Sequence, residues 1–157
     1  MKIELWLIGK TNFSYLKEGI AIYDKRLKHY LSFEKKVFPD VKVGKKASPD
    51  QVKQAEGKLI LSKLNAGDAL ILLDENGKQY SSEQFAGFMQ QQLQMSHKKI
   101  IFQIGGAYGF SKEVYERANF KISLSKMTFS HQMVRLIFTE QLYRAMTILK
   151  GEPYHHS

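Results

Sequence analysis

At 157 residues with no cysteine, the chain has the length of one ordinary domain, able to bury a core without metal or disulfide staples and lacking any thiolate for catalysis or metal binding. Its 24 Lys+Arg against 15 Asp+Glu give a net charge of +9, which favours a polyanionic partner, nucleic acid first, over a merely solubilising surface. No apolar stretch approaches a membrane span, and the run from Met1 to Gly9 is too short for a signal peptide and lacks a small-residue cleavage site. The expectation is a cytoplasmic protein with no membrane partner.

The elements alternate along the chain. Residues 2–9 read as a strand. A helix follows from about Asn12 to Leu31, with Leu16, Ile20, Tyr23, Leu27 and Tyr30 on one face and Lys17, Glu18, Asp24, Lys25 and Lys28 on the other. Ser32 to Phe38 alternates weakly and stops at Pro39, and Asp40 to Ala47 is a basic loop. Ser48-Pro49 supplies an N-cap and a first-turn proline for a helix to about Asn65, predicted to bury Val52, Leu59, Ile60 and Leu64. Ala69 to Leu73 is continuously apolar, as in a strand covered on both faces, and Glu75-Asn76-Gly77 reads as a turn. Ser81 with Gln84 forms a capping box for a helix to about Met95. Lys99 to Ile104 is a second central strand ending at Gly105-Gly106. A short helix over Ser111–Ala118, a strand near Phe120–Leu124 and a helix from about Ser130 to Leu149, closed by Gly151 and Pro153, complete the chain. This order predicts an α/β sandwich with a mostly parallel sheet.

Ligands of such sheets sit beyond the carboxyl ends of the strands. Three ends stand out: Leu73 to Gly77, Ile104 to Phe110, and Leu124 to Phe129. The glycines after Ile104 fall as G-G-x-x-G, which is neither a dinucleotide fingerprint nor a phosphate loop, and a tight strand-to-helix turn accounts for them equally well. The last helix is apolar on nearly every face, so it is predicted to pack on its sheet on one side and on a partner subunit on the other. His131 and Arg135 share a face, whereas Arg144, nine residues on, lies about half a turn round the axis at roughly 100° per residue. One helix cannot offer both arginines to one pocket; a dimer could. An ion pair with Glu140 is the simpler role for Arg144, and a local first-turn bond is the simpler role for His131.

The motifs together resemble one family. The apolar strand before Asp74, the I-G-G-x-x-G loop, the segment L-S-K-M-T-F-x-H-Q-M-x-R, then E-Q-L-Y-R-A and a terminal G-E-x-Y-H look like RlmH, the 23S ribosomal RNA pseudouridine N3-methyltransferases of the SPOUT superfamily. The resemblance spans residues 1–157 as a single domain. It implies a SPOUT-type sandwich with a C-terminal trefoil knot, which no periodicity predicts. It further implies S-adenosylmethionine held largely by backbone groups of Leu73, Gly105, Leu124, Ser125, Lys126, Met127, Thr128 and Phe129, with no metal. It implies a homodimer acting on 23S ribosomal RNA within the assembled ribosome, with Arg144, Tyr154, His155 and His131 on the substrate side. Ser130 stands where many members carry proline, and a serine keeps the cap. A SPOUT enzyme with another RNA target, and a non-catalytic basic ribosome-binding module, are the competing readings.

Overall fold

The computed structural model describes residues 1–156. Strands and helices alternate as β1 (Lys2–Ile8), α1 (Ser14–Leu27), β2 (Ser32–Phe38), α2 (Pro49–Lys63), β3 (Asp68–Gln79), α3 (Ser82–Leu93), β4 (Lys99–Ile104), α4 (Lys112–Arg117), β5 (Phe120–Ser123) and α5 (His131–Leu149). The sheet order is β2-β1-β4-β3-β5, and every pairing between these strands is parallel.

Alternation along each strand divides two cores. Ile3, Leu5 and Leu7, Ala69, Ile71 and Leu73, and Ile100, Phe102 and Ile104 face the side that also holds Phe85, Met89, Phe138 and Leu142 of α3 and α5. Trp6, Ile8, Leu70, Leu72 and Ile101 face the other side, against Ile60 of α2 and Val114 of α4. Buried on both faces, these strands carry near-continuous apolar runs. Glu4 interrupts β1 with only 1% exposure. It is compensated by the Trp6 indole N–H at 2.9 Å and by the ammonium groups of Lys36 and Lys99, each at 3.4 Å.

Local chemistry sets most helix starts. Ser48 and Ser81 form complete capping boxes with Gln51 and Gln84, while the Ser111 and Ser130 hydroxyls accept from the N–H groups of Val114 and Met133.

Three elements differ from expectation, each for a tertiary reason. α1 starts two residues later because Thr11 and Asn12 are held by α5: Asn12 N–H donates to Gln132 Oε1 at 2.9 Å, and Arg135 Nη1 donates to Thr11 Oγ1 at 3.1 Å. It ends at Leu27, where Tyr30 and Leu31 both donate to the Leu27 carbonyl in a closing turn. In α2 only Ile60 of the four apolar residues is fully buried; Glu56 and Gly57 occupy the rest of the inner face, and Val52, Leu59 and Leu64 are half-buried. β3 has no turn at Glu75–Gly77. It runs on to Gln79, pairing β5 through Ile71–Leu73 and again through Lys78–Gln79, with the residues between out of register. Gly77 is needed for proximity, since a Cβ there would lie 2.6 Å from the Lys121 carbonyl carbon and 2.7 Å from Ile122 N. No residue of α5 is fully exposed, because α1 and α3 flank it within the same chain. Met133, Val134, Leu136, Ile137 and Tyr143 nevertheless keep partial exposure on this helix.

Candidate functional site

The carboxyl ends of β3, β4 and β5 enclose a cleft of about 360 Å³. That lies within the usual range of small-ligand sites, roughly 300–1,000 Å³. Three backbone segments build it. β3 delivers Leu73, Asp74 and Glu75; β4 runs into Gly105 and Gly106; and β5 runs into Leu124, Ser125, Met127, Thr128 and Phe129 before α5 begins. Phe110, Ile122 and Val134 add an apolar floor, and His131 opens α5 at the rim.

Of the residues singled out for a cofactor, Leu73, Gly105, Leu124, Ser125, Met127, Thr128 and Phe129 all line this cleft. Lys126 does not. It is exposed at the outside of a turn in which Met127 N–H donates to Ser125 Oγ at 2.9 Å. The turn is tied from below by the Ser123 hydroxyl donating to the Ser125 carbonyl, and from across the cleft by the Thr128 hydroxyl donating to Glu75 at 3.0 Å. Gly106 presses its backbone against α2: a Cβ there would meet Glu56 Oε2 at 2.5 Å. The Glu56 carboxyl is raised above its ordinary range, first by burial and then by the nearby Asp40.

The walls of the cleft pair apolar side chains with bare backbone, and the Asp74 carboxylate stands beside the Tyr115 hydroxyl, whose pKa burial and then Asp74 push up to about 12. Asp74, Glu75, Gly106 and Phe110 also line the cleft; they lie within the strand ends that stand out in the sequence, though not among the residues the resemblance implies for the cofactor. Asp74 carried a legible signal as the first carboxylate after an all-apolar strand.

The remaining candidates gather elsewhere. Arg144, Tyr154 and His155 form a cluster near the end of α5, about 20 Å along the helix from His131 at 1.5 Å per residue. Arg144 Nη2 donates to Glu140 Oε1 at 2.7 Å, so the ion pair anticipated from spacing is present. Arg144 Nη1 donates to His155 Nδ1 at 3.0 Å, and the guanidinium lies 4.8 Å from the centre of the Tyr154 ring. The Tyr154 hydroxyl donates to Glu140 Oε1 at 3.0 Å and sits 3.4 Å from the Tyr23 hydroxyl. Burial, then Tyr23 and Glu140, push the Tyr154 hydroxyl pKa up, and Glu140 raises that of Arg144. The terminal segment, which would pass for a loose end on composition, is thus anchored. His131 is half-buried at the cleft and separate from this cluster. Arg135, 1% exposed, donates to the Ile8 carbonyl at 2.9 Å, which makes it a structural clasp between α5 and β1.

A family model described as "Predicted SPOUT methyltransferase" matches residues 1–155. Proteins named ribosomal RNA large subunit methyltransferase H match at similar extent. That of Christiangramia forsetii is 58% identical over 99% of both chains. That of Cytophaga hutchinsonii is 57% identical over 99% of this chain and all of its own. This chain belongs to the RlmH family of SPOUT methyltransferases. The cleft lies where three parallel strands end beside the start of α5, and it is built from the segments whose motifs carry the resemblance. A third relative, from Parabacteroides distasonis, is 55% identical over 99% of both chains. Among the described residues no helix is long and apolar enough to cross a membrane.

Proposed function

We propose that this protein is an S-adenosylmethionine-dependent methyltransferase that modifies N3 of a pseudouridine in 23S ribosomal RNA of the assembled ribosome. The relatives' shared name supports a large-subunit ribosomal RNA target. The observation that supports the cofactor assignment is the backbone-lined cleft built from the segments that carry the family's motifs. The bound cofactor supplies an electrophilic methyl group. Leu73, Gly105, Leu124, Ser125, Met127, Thr128 and Phe129 hold it. The whole chain, 1–157, acts as one domain whose C-terminal segment closes the trefoil knot of the family. The bonds joining Gln132 and Arg135 to the end of β1 and the connection after it, Ile8–Asn12, support a tightly interlaced C-terminus.

The working unit in this reading is a homodimer in the cytoplasm. The cleft and the Arg144–Tyr154–His155 cluster lie at different ends of α5, so a second copy must bring its cluster to the first copy's cleft. Arg144 then stabilises negative charge developing on the base carbonyls. Tyr154 stacks on or hydrogen-bonds the presented base. A histidine, His131 or His155, removes the N3 proton. The net charge of +9 supplies docking on ribosomal RNA.

Calorimetric titration with S-adenosylmethionine, followed by mass spectrometry of 23S RNA fragments from treated ribosomes, tests this. Saturable binding and a methyl group on pseudouridine N3 are expected. Absence of binding would leave a non-catalytic basic module, and a methyl elsewhere would redirect the target. A chain ending at Pro153 should keep cofactor binding and lose methylation.

A further inference from the structure

His155 uses both ring nitrogens. On one side stands Arg144, whose guanidinium has donors and no acceptor, so at 3.0 Å its Nη1–H must point into a lone pair on His155 Nδ1. On the other stands Glu83, with Oε1 2.7 Å from His155 Nε2. The neutral ring has a single N–H, and only the tautomer protonated at Nε2 satisfies both contacts. A second proton at Nδ1 would set N–H against N–H and one cation against another.

The other charged and titratable groups around the ring are accounted for. α5 contributes Glu140, bonded to Arg144 and Tyr154; the tail contributes Tyr154; and α1 contributes Tyr23, facing Tyr154. Glu83 sits in the first turn of α3, where the helix end favours a carboxylate. Its carboxyl is held below its ordinary range, first by the bond to His155 and then by backbone N–H. The His155 side chain is 17% exposed and that of Glu83 50%, so the carboxylate covers the ring from the solvent side.

We propose that Glu83 is a positioning residue of the methyl-transfer site: it fixes His155 as the Nε2–H tautomer, whose Nδ1 holds the Arg144 guanidinium, so that His155 aims Arg144 rather than accepting the substrate proton. This rests on the tail cluster being the substrate side. It transfers the task of proton acceptor away from His155, leaving His131 at the cleft as the histidine placed for it. The chain Glu83–His155–Arg144–Glu140 fixes the guanidinium at both Nη atoms, as carboxylates orient ligating histidines elsewhere.

The test uses the full-length protein. Long-range ¹H–¹⁵N spectra of the wild type should show His155 with Nε2 protonated and Nδ1 bare. E83A should give a mixed-tautomer ring and lower kcat by about 10- to 100-fold with KM for the ribosomal substrate little changed. E83Q should recover most of the rate, because its amide oxygen still accepts from Nε2–H. H155N, which can accept from Arg144 and cannot act as a base, should be at least about tenfold faster than H155F. Loss of a true general base costs about 10²–10⁴-fold in either variant. An unchanged tautomer in E83A, or H155N as slow as H155F, would overturn the proposal while the tail reading stands. A chain lacking Tyr154 onward that methylates at the wild-type rate would remove the tail reading and Glu83 with it.

Discussion

Replacing Gly77 by alanine is the most direct probe of how β3 and β5 shape the cleft. The new methyl would fall 2.6 Å from the Lys121 carbonyl carbon, 2.7 Å from Ile122 N and 2.8 Å from Ile122 C, all backbone atoms of β5 that cannot rotate aside. β5 must move outward, and with it the Leu124–Phe129 segment that follows. Overpacking of this kind costs about 1–3 kcal/mol, and three backbone clashes place G77A at the upper end, about 3 kcal/mol. For a chain of this size each kcal/mol shifts Tm by roughly 2–4 °C, so a fall of about 6–12 °C is expected. Gly87, exposed in α3 with nothing within 4 Å of where its Cβ would stand, is the paired control. G87A should raise stability by about 0.8–1 kcal/mol through helix propensity alone. Differential scanning calorimetry of both variants, with cofactor titration of G77A, reads the outcome. S-adenosylmethionine should bind G77A at least about fivefold more weakly, near 1 kcal/mol. Equal melting temperatures for G77A and G87A would refute the claim that Gly77 exists to let β5 approach.

Three further outcomes follow from charge, two of them from buried groups. Glu56 has a carboxyl pKa raised by burial and Asp40, so the folded state holds its proton more tightly than the unfolded chain does. Stability from this group is therefore present at low pH and lost as pH rises through the raised value; E56Q should melt higher than wild type at neutral pH, with the gain shrinking toward the ordinary carboxyl range, and a pH-independent gain would contradict this. R135M should lower stability by roughly 1–3 kcal/mol in chemical denaturation by stranding the Ile8 carbonyl, while a cost near zero would deny the clasp between α5 and β1. Affinity for ribosomal RNA should fall by about an order of magnitude or more between 50 and 200 mM salt, and a flat response in filter binding would exclude docking by the lysine surface.

Much of this molecule was legible before folding. The apolar runs at 69–73 and 99–104, together with serine caps at Ser48, Ser81, Ser111 and Ser130, give the α/β order, because period and capping are local properties of the chain. The family resemblance, carried by the glycine loop and the Leu124–Phe129 segment, pointed to most of the residues that line the cleft. Tertiary contact decided the rest. Glu75–Gly77 looks like a turn by composition, yet it lies within β3 because β5 packs against Gly77. The apolar girth of α5 is taken up in part by α1 and α3, which only the folded chain brings to its sides. Glu83 and His155 stand 72 residues apart, and no spacing rule joins a first-turn glutamate of α3 to the chain's end. Sequence determines what each segment prefers within a few residues; which distant groups share a proton depends on how the layers close.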